Sequence, residues 1–354
     1  MVTMSLWNEP HRGRHHYAAA LSKKHQVLWV NRRLYGGESG PTDGEVESVS
    51  ESLHVLHTGR SLLSPRIDER LNWNNRRRFS WLLRVLQALG DPDMIWIYDY
   101  KAIQFACWFK GKATTLYFCN DCFGEYAYKH YEVKLAKIVD YVFATAPGLR
   151  DRLLPYNSRS FFLPHGVWLP DHAPVFTKKI KPEVVGYVGV LREVVDIAYL
   201  EKIVEETDLK LVLAGPITEC SSSFRKKLEI LFRNPKVDYL GDLSPGEQKK
   251  VIAQLDICLL PYVCNALLSH GFSIKYFDYL AVAKPIVATP YFSWPSPFGE
   301  FVDVYDGRSD LREFFAVVYS NWDLSRFTRA VELAGASTWD HRVRTVGEMI
   351  NMDL

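Results

Sequence analysis

The chain has 354 residues, of which 47% are hydrophobic and 24% are charged, and its net charge is +2. This length and composition predict a globular protein with two cores, and hence two domains. No apolar run reaches the roughly 18 residues that a membrane-spanning helix needs, which excludes such a helix. The N-terminus lacks a basic and then apolar export signal, so we expect a cytoplasmic protein.

The N-terminal residues predict a βαβ opening. The apolar pattern indicates a short strand over 1–7, a helix over 15–24 and a buried strand over 26–30. Residues 36–52 are small, acidic and rich in turn formers, a composition that predicts a mobile loop. Such a loop is a candidate lid.

Two carboxylates and a pair of histidines stand out in the first half. Strands are predicted at 53–57, 93–99, 114–119 and 141–145, and helices at 67–89 and 133–138. Asp99 and Asp121 come where predicted strands end, and parallel sheets bind ligands at the carboxyl ends of their strands. His15 and His16 begin the first helix and face the same edge, so we expect at least one of them to line the ligand crevice. The candidate catalytic residues are Asp121, Asp99 and His16.

A second hydrophobic pattern follows a polar, proline-flanked linker at 167–183. Strands are predicted at 184–189, 210–216, 237–241, 256–262 and 285–289, and closing helices at 311–318 and 339–350. This spacing predicts a second parallel sheet, with Gly215, Gly241 and Tyr262 at carboxyl ends where a nucleotide would bind. Gly189 would let the first of these strands turn tightly into a helix beside a phosphate.

Residues 270–290, HGFSIKYFDYLAVAKPIVATP, predict a small-residue turn, a short amphipathic helix and a buried strand. The free N–H groups and the positive end of the helix dipole attract an anion to such a turn. Lys275 adds a full positive charge in the first helical turn. We therefore interpret this stretch as a diphosphate site, in preference to an ordinary amphipathic helix that feeds a strand.

The same stretch resembles the nucleotide-sugar signature of GT-B glycosyltransferases, most closely in its tail, KPIVAT at 284–289. His270 stands where the signature has its first acidic residue. Asp278 stands at the second acidic position, which in the family holds the ribose hydroxyls, and Arg192 substitutes for a basic residue after the first turn. The donor-binding residues that the resemblance implies are Gly189, Arg192, Gly215, Gly241, Tyr262, His270, Gly271, Phe272, Ser273, Lys275 and Asp278.

The first half is similar, more thinly, to the bacterial surface-polysaccharide branch of the large retaining family, glycosyltransferase family 4-like. Its opening βαβ unit matches, and residues 93–99 match a strand of that branch in which Tyr98 replaces a histidine. Asp121 matches the first of two paired acids, and Cys122 replaces the second. The departures at Tyr98 and Cys122 leave the chemistry of this half less specific than that of the donor half.

The resemblance implies an α/β chain with the GT-B fold, in which two Rossmann-like, doubly wound parallel-sheet domains face each other across a cleft. We expect an acceptor-side domain over 1–166, a linker over 167–183 and a nucleotide-sugar domain over 184–335. Residues 336–354 are expected to form a helix that crosses back to the first domain.

The resemblance also implies a function. The expected enzyme moves a sugar from a nucleotide diphosphate, a UDP-sugar, to a glycan or lipid-linked acceptor in surface polysaccharide or glycoconjugate synthesis. It needs no metal or other cofactor, because Lys275, Arg192 and the helix dipole can stabilise the leaving diphosphate. The alternatives are a nucleotide-sugar epimerase or a sugar phosphorylase on the same fold, and a non-catalytic partner subunit suggested by His270. The pattern leaves retention or inversion of the sugar configuration open.

Charge is distributed unevenly along the chain. Residues 1–166 carry 22 Lys and Arg against 16 Asp and Glu, and the remaining residues carry 21 against 25. Seven arginines in the first half are interleaved with large apolar residues: Arg60, Arg66, Arg70, Arg76, Arg77, Arg78 and Arg84. This pattern fits a core-packed helix with a solvated arginine face, and it also fits a patch that binds an anionic membrane surface from the cytoplasmic side. Nucleic acid is a weaker alternative, since no recognised binding motif accompanies the charge.

Overall fold

The computed structural model describes residues 1–35, 38–41, 43–61, 68–122, 129–218, 220–265 and 268–354, without the side chains of 68–71 and 129. Within these residues the chain divides into two compact units, Met1–His165 with Trp339–Leu354 and Gly166–Thr338. The α/β class predicted from the sequence is confirmed. Some predictions lie outside the described residues, namely those for 36–37, 42, Arg66, Ile67 and the segment after Cys122, together with the side chain of Arg70.

The helices are α1 (Gly13–Leu21), α2 (Asp68–Leu89), α3 (Ile103–Phe109), α4 (Lys129–Ile138), α5 (Pro147–Leu153), α6 (Ile197–Glu206), α7 (Ser222–Leu231), α8 (Pro245–Gln254), α9 (Ile274–Ala281), α10 (Leu311–Ser320), α11 (Leu324–Gly335) and α12 (Trp339–Ile350). The strands are β1 (Val27–Val30), β2 (Val46–Ser50), β3 (Leu53–Leu56), β4 (Met94–Ile97), β5 (Thr114–Cys119), β6 (Tyr141–Ala144), β7 (Ser160–Phe162), β8 (Val184–Val188), β9 (Lys210–Ala214), β10 (Val237–Tyr239), β11 (Ile257–Leu260), β12 (Ile286–Ala288) and β13 (Val302–Val304).

The first unit contains two ribbons of strands, ordered β1-β3-β2 and β4-β5-β6-β7. Val2 joins them, because it makes parallel bridges to both Val30 and Ile97. The Val2 segment therefore lies between β1 and β4, and the parallel strands run in the order β3, β1, Val2 segment, β4. Counted along the chain from the Val2 segment, this order is 3-2-1-4, as in a doubly wound Rossmann sheet. The strand predicted over 1–7 is wrong in extent. Thr3 Oγ1 donates to Ser5 O at 2.9 Å, a local bond that turns the chain away from the ladder.

The strand β2 corrects the prediction of a mobile loop over 36–52. It pairs antiparallel with β3 at the edge of the sheet. All five of its residues are exposed, so the strand buries no face that would show as an apolar alternation in the sequence. The residues there therefore resemble a loop in composition while they form a sheet edge.

The second unit has six parallel strands in the order β10-β9-β8-β11-β12-β13. Counted within the unit, this order is 3-2-1-4-5-6, the classic Rossmann order. The chain changes direction between β8 and β11, and ligands bind at the carboxyl ends of the strands at such a switch point. The strand β11 is fully buried in the middle of this sheet.

The helix α12 belongs to the first unit and packs on α1. Trp339 is 1% exposed, and its ring lies 5.1 Å from that of Tyr17 and 5.0 Å from that of His16. Arg342 Nε donates to His165 O at 3.1 Å. These contacts place the start of α12 beside the first half of α1.

Candidate functional site

The helix α9 begins beside the switch point of the second sheet. Ser273 is its N-cap, and the side-chain oxygen accepts from Lys275 N at 3.3 Å. The hydroxyl of Tyr262, at the end of β11, lies 3.2 Å from the same oxygen. The N-terminus of α9 is thereby held against the carboxyl end of the central strand, where its remaining N–H groups and dipole favour an anion.

Lys275 lies over the turn that follows β8. Its Cε is 3.2 Å from the position that a Cβ on Gly189 would take, so a side chain at 189 would press against it. Lys275 Nζ lies 3.2 Å from Asp278 Oδ2, and the two side chains are 20% and 33% exposed. The geometry therefore places one cation, one carboxylate and a helix N-terminus at a single point of the sheet edge.

Three loops meet in a row at this edge, each at one of the predicted glycines. Gly189 N donates to Ala214 O at 2.8 Å, and Gly215 N donates to Gly241 O at 2.7 Å. Gly215 has a φ of 131°, and a Cβ there would lie 2.1 Å from Gly189 O. Only glycine fits such an approach. The structure thus brings Gly189, Gly215 and Gly241 together at the carboxyl ends of β8, β9 and β10.

A pair of buried tyrosines supports the turn after β8. Tyr187 OH donates to Val190 O at 3.1 Å and lies 3.5 Å from Tyr262 OH. Burial raises the pKa of Tyr187 well above its ordinary value, so the hydroxyl keeps its proton as a donor. Tyr262 is 7% exposed, and its hydroxyl positions Ser273. A supporting role thus fits Tyr262 better than the donor contact expected from the sequence.

The expected turn from β8 directly into a phosphate-binding helix is wrong. An irregular loop over 189–196 intervenes before α6. Asp196 caps α6, and its side chain accepts from Tyr199 N at 3.0 Å, so the helix N-terminus is already occupied by a carboxylate. Arg192 lies exposed within this loop.

The side chain of Phe272 also differs from expectation. It is 3% exposed and packs within 5.4 Å, between ring centroids, of five aromatic rings. Those rings belong to Tyr276, Phe277, Phe292, Trp294 and Phe298. Phe272 therefore anchors the loop in the core and cannot offer its ring to a donor.

His270 and Gly271 form the approach to α9. His270 ends a short 3₁₀ turn, Leu268–His270, and its Nδ1 lies 3.1 Å from Ser269 Oγ. Gly271 N donates to Leu268 O at 2.9 Å. A Cβ on Gly271 would meet nothing closer than 3.5 Å, so this position does not require glycine sterically.

In the first unit, Asp99 is part of a buried ion pair that the sequence did not indicate. Arg78 Nη1 donates to Asp99 Oδ2 at 2.7 Å, and the two side chains are 2% and 8% exposed. Arg78 also donates to Val30 O at 3.0 Å and to Thr3 O. Arg78 thus joins the ends of three strand segments. Because Asp99 is buried in this ion pair, it does not fit the catalytic role predicted from the sequence. Arg78 is buried as well, so it cannot belong to the predicted surface patch.

Asp121 lies exposed just beyond β5, held by a buried network. Cys119 Sγ lies 3.4 Å from Asp121 O and 3.3 Å from Glu132 Oε1. Arg152 donates to both carboxylate oxygens of Glu132, at 2.6 and 2.9 Å. These contacts hold the backbone in place immediately before Asp121.

A buried arginine lies within electrostatic reach of Asp121. Arg14 donates from Nε to Ser5 Oγ at 2.8 Å, in the first turn of α1. Burial lowers the pKa of Arg14, and the negative charges of Asp121 and Glu9 oppose that shift. Arg14 is not among the residues predicted from the sequence, although it directly precedes His15 and His16.

The two histidines that begin α1 differ in environment. His15 is fully buried; its Nδ1 accepts from Arg12 N at 3.1 Å, which leaves the proton on Nε2 for Leu6 O at 3.3 Å. Burial lowers the pKa of His15 to about 3. His15 is therefore a capping residue. His16 is half-buried beside Trp339 and remains the one of the pair that fits a binding role.

The described residues show neither a metal cluster nor a membrane-spanning helix. Among the described residues, no group of three or more His, Cys, Asp or Glu side chains could hold a metal ion. Within the same residues, no helix has the length and apolar character that crossing a bilayer requires.

Comparison with known proteins gives one family and one fold. The family described as glycosyl transferases group 1 matches residues 182–300. TuaH of Bacillus subtilis (strain 168), named for teichuronic acid biosynthesis as a glycosyltransferase, is 25% identical over 170 residues. That match spans 48% of this chain and 39% of the relative.

Solved structures match over nearly the whole chain. Sucrose-phosphate synthase of Thermosynechococcus elongatus has a TM-score of 0.70 at 14% identity, covering 99% of this chain and 98% of its own. The lipopolysaccharide outer core galactosyltransferase WaaB has a TM-score of 0.67 at 13% identity, covering 99% and 98%. A trehalose-6-phosphate protein of E. coli, bound with UDP-2-fluoro glucose, has a TM-score of 0.64 at 14% identity, and the match covers 99% of each chain. The solved structures confirm the GT-B fold predicted from the sequence, and the family match at residues 182–300 lies within the second unit.

Proposed function

We propose that the protein moves a sugar from a nucleotide diphosphate to a glycan or lipid-linked acceptor. The observation that carries the proposal is the placement of Lys275 at the N-terminus of α9, against Gly189 at the switch point of the second sheet. A cation and a helix N-terminus attract a diphosphate and stabilise the negative charge that develops as it leaves. For the same reason we propose that the transfer needs no metal.

The relatives' names support a narrower donor and acceptor. One neighbour in fold is described with UDP-2-fluoro glucose, and another is an outer core galactosyltransferase. The relative in sequence is named for teichuronic acid biosynthesis. We therefore propose a UDP-sugar as donor and a surface polysaccharide or its lipid-linked precursor as acceptor.

Acceptor activation is proposed for Asp121. It is exposed on a segment held by the Glu132 network, and a carboxylate can take the proton of an acceptor hydroxyl as that oxygen bonds to the sugar. His16 is the second candidate for this acid–base role. Asp99 does not fit the role because Arg78 donates to its Oδ2.

Peripheral membrane binding is proposed for the exposed face of α2. Arg76, Arg77 and Arg84 are exposed, and the guanidinium of Arg84 lies 4.5 Å from the ring centre of Trp81. Exposed arginines favour an anionic lipid surface. Such binding would keep the enzyme close to a lipid-linked acceptor.

A thermal-shift panel of nucleoside diphosphates and their sugars tests the function. A ligand at 100 times its Kd stabilises the fold by about 2.7 kcal/mol, so we expect a clear rise in Tm with the cognate nucleotide. Hydrolysis of the cognate sugar donor would then exclude a non-catalytic subunit, and product analysis separates transfer from epimerisation and phosphorolysis. A panel in which no nucleoside diphosphate raises Tm would refute the proposal.

A further inference from the structure

The first unit has a cavity whose lining includes neither Asp121 nor a residue of α1. It has a volume of about 220 Å³ and lies where β1 and β3 end, the sheet edge at which ligands bind. The residues that line it include Trp7, Asn31, Arg32, Glu47 and His57. A cavity of this volume has room for a ligand larger than a single water molecule.

A series of hydrogen bonds sets the orientation of three side chains in the cavity wall, those of Asn31, His57 and Glu47. Asn31 Oδ1 accepts from Trp7 N and from Trp29 Nε1, each at 2.8 Å. Its amide nitrogen must therefore donate, and His57 Nδ1 accepts at 3.0 Å. The ring proton of His57 then lies on Nε2, which donates to Glu47 Oε2 at 2.9 Å.

This series ends in a carboxylate that is held but accessible. Asn31 and His57 are 2% and 9% exposed, whereas the side chain of Glu47 is 54% exposed. Glu47 is fixed through one oxygen by a neutral imidazole. Its other oxygen and its full negative charge remain for a ligand that donates hydrogen bonds.

The arginine in the cavity wall does not balance this charge. Arg32 Nη2 lies 2.9 Å from Glu9 Oε1 and 2.8 Å from Glu38 Oε1, and Arg32 Nη1 lies 2.8 Å from Glu38 Oε2. Two carboxylates thus already engage its guanidinium. Glu47 therefore gives the cavity a negative charge, which disfavours an anionic ligand.

We infer that this cavity binds one neutral sugar ring of the acceptor, with a sugar hydroxyl donating to Glu47. The inference rests on the proposed transferase function. A neutral sugar supplies several hydroxyl donors and no negative charge, which matches an accessible carboxylate acceptor. A uronic acid or a sugar phosphate would place its anion against Glu47.

Glycoside binding tests the cavity directly. Saturation-transfer NMR on the full chain would compare the methyl glycosides of a hexose, an N-acetylhexosamine and a hexuronic acid. We expect the parent protein to bind a neutral glycoside and to reject the uronate. Glu47→Gln should weaken neutral glycoside binding about tenfold, because a charge-assisted hydrogen bond is lost, and should relieve the rejection of the uronate. Glu51→Gln, an exposed glutamate in the turn before β3, should change neither.

A kinetic measurement separates this inference from the proposed function. Glu47→Gln should raise the acceptor KM while donor hydrolysis and donor affinity stay at parent values. The inference is overturned if the parent binds no neutral glycoside at millimolar concentration, binds the uronate equally well, or keeps its glycoside affinity in Glu47→Gln. A protein that binds no nucleoside diphosphate but shows Glu47-dependent glycoside binding would refute the transferase proposal and support the sugar cavity.

Discussion

Lys275 Nζ lies 3.2 Å from Asp278 Oδ2 on one face of α9. Residues three apart on a helix are neighbours, so the pair holds both side chains beside the helix N-terminus. Because both side chains are only partly exposed, their orientation is largely set by the fold. A bound nucleotide would meet a cation already placed for its diphosphate and a carboxylate already placed for its ribose hydroxyls.

Lys275→Ala should reduce affinity for the cognate nucleoside diphosphate tenfold or more, since hydrogen bonds to a charged group are worth about 1.5–3 kcal/mol. Isothermal titration calorimetry measures this. Lys227→Ala, an exposed lysine of α7 in the same unit, is the matched control and should bind as the parent does. Equal affinity of Lys275→Ala and the parent would remove Lys275 from the diphosphate site.

Asp278→Asn should weaken binding through the ribose alone. A carboxylate accepts hydrogen bonds from the ribose hydroxyls more strongly than an amide does. The parent should therefore prefer UDP over its 2′,3′-dideoxy analogue, and the variant should lose most of that preference. If the variant loses affinity for both nucleotides to the same extent, the ribose assignment is wrong.

The sequence predicted the strands and the helix α9 of the second unit well because their signals are local. A capped amphipathic helix and buried strands over 184–289 follow from residues near each other in the chain. Arg78 and Asp99 are 21 residues apart, and their pairing depends on how three strand segments meet. The chain of Asn31, His57 and Glu47 depends on the unpredicted strand β2, whose exposed residues carry no apolar alternation.

The two carboxylates of the first unit should respond differently to substitution. Asp99→Asn leaves the buried charge of Arg78 without its counter-ion, and breaking such a pair costs about 3 kcal/mol or more of unfolding free energy. Asp121 is exposed, so Asp121→Ala should change the free energy of unfolding by less than about 0.5 kcal/mol. The same substitution should cut sugar transfer by orders of magnitude. Urea denaturation and transfer assays at saturating donor measure both. A fully active Asp121→Ala would exclude the acid–base role.

Acid should destabilise the first unit through His15 and His165. Burial lowers the pKa of His15 to about 3, with Arg14, His11 and His16 adding repulsion. Burial, Arg342 and His16 lower the pKa of His165 to about 4. The unfolded histidines, with pKa near 6.5, bind protons first as pH falls, so this contribution to stability is complete above pH 6.5 and declines towards pH 3–4.

Tryptophan fluorescence reports this loss, because Trp29 lies 4.5 Å and Trp339 6.4 Å from the two imidazoles, measured between ring centres. We expect the urea midpoint to be lower at pH 5 than at pH 7. A midpoint that does not change between these pH values would contradict the assigned pKa shifts.

The membrane proposal predicts salt-sensitive binding to anionic vesicles. Arg76, Arg77 and Arg84 each gain about 1 kcal/mol near such a surface, so changing all three to Glu should abolish co-sedimentation at low salt. Arg78 is excluded from the set because it is buried. The control changes Lys226, Lys227 and Lys250, exposed lysines of the second unit, to Glu. Equal loss in both triple variants would indicate a net-charge effect with no contribution from the face of α2.

Hydrogen–deuterium exchange of the full chain, with and without the cognate nucleoside diphosphate, tests the central claim most directly. Bound phosphate should protect backbone amides at the start of α9, in residues 271–278, and in the turn that follows β8 at Gly189. Lys275→Ala should lose this protection at the same nucleotide concentration. Nucleotide binding that protects other segments and leaves these amides unchanged would contradict the account.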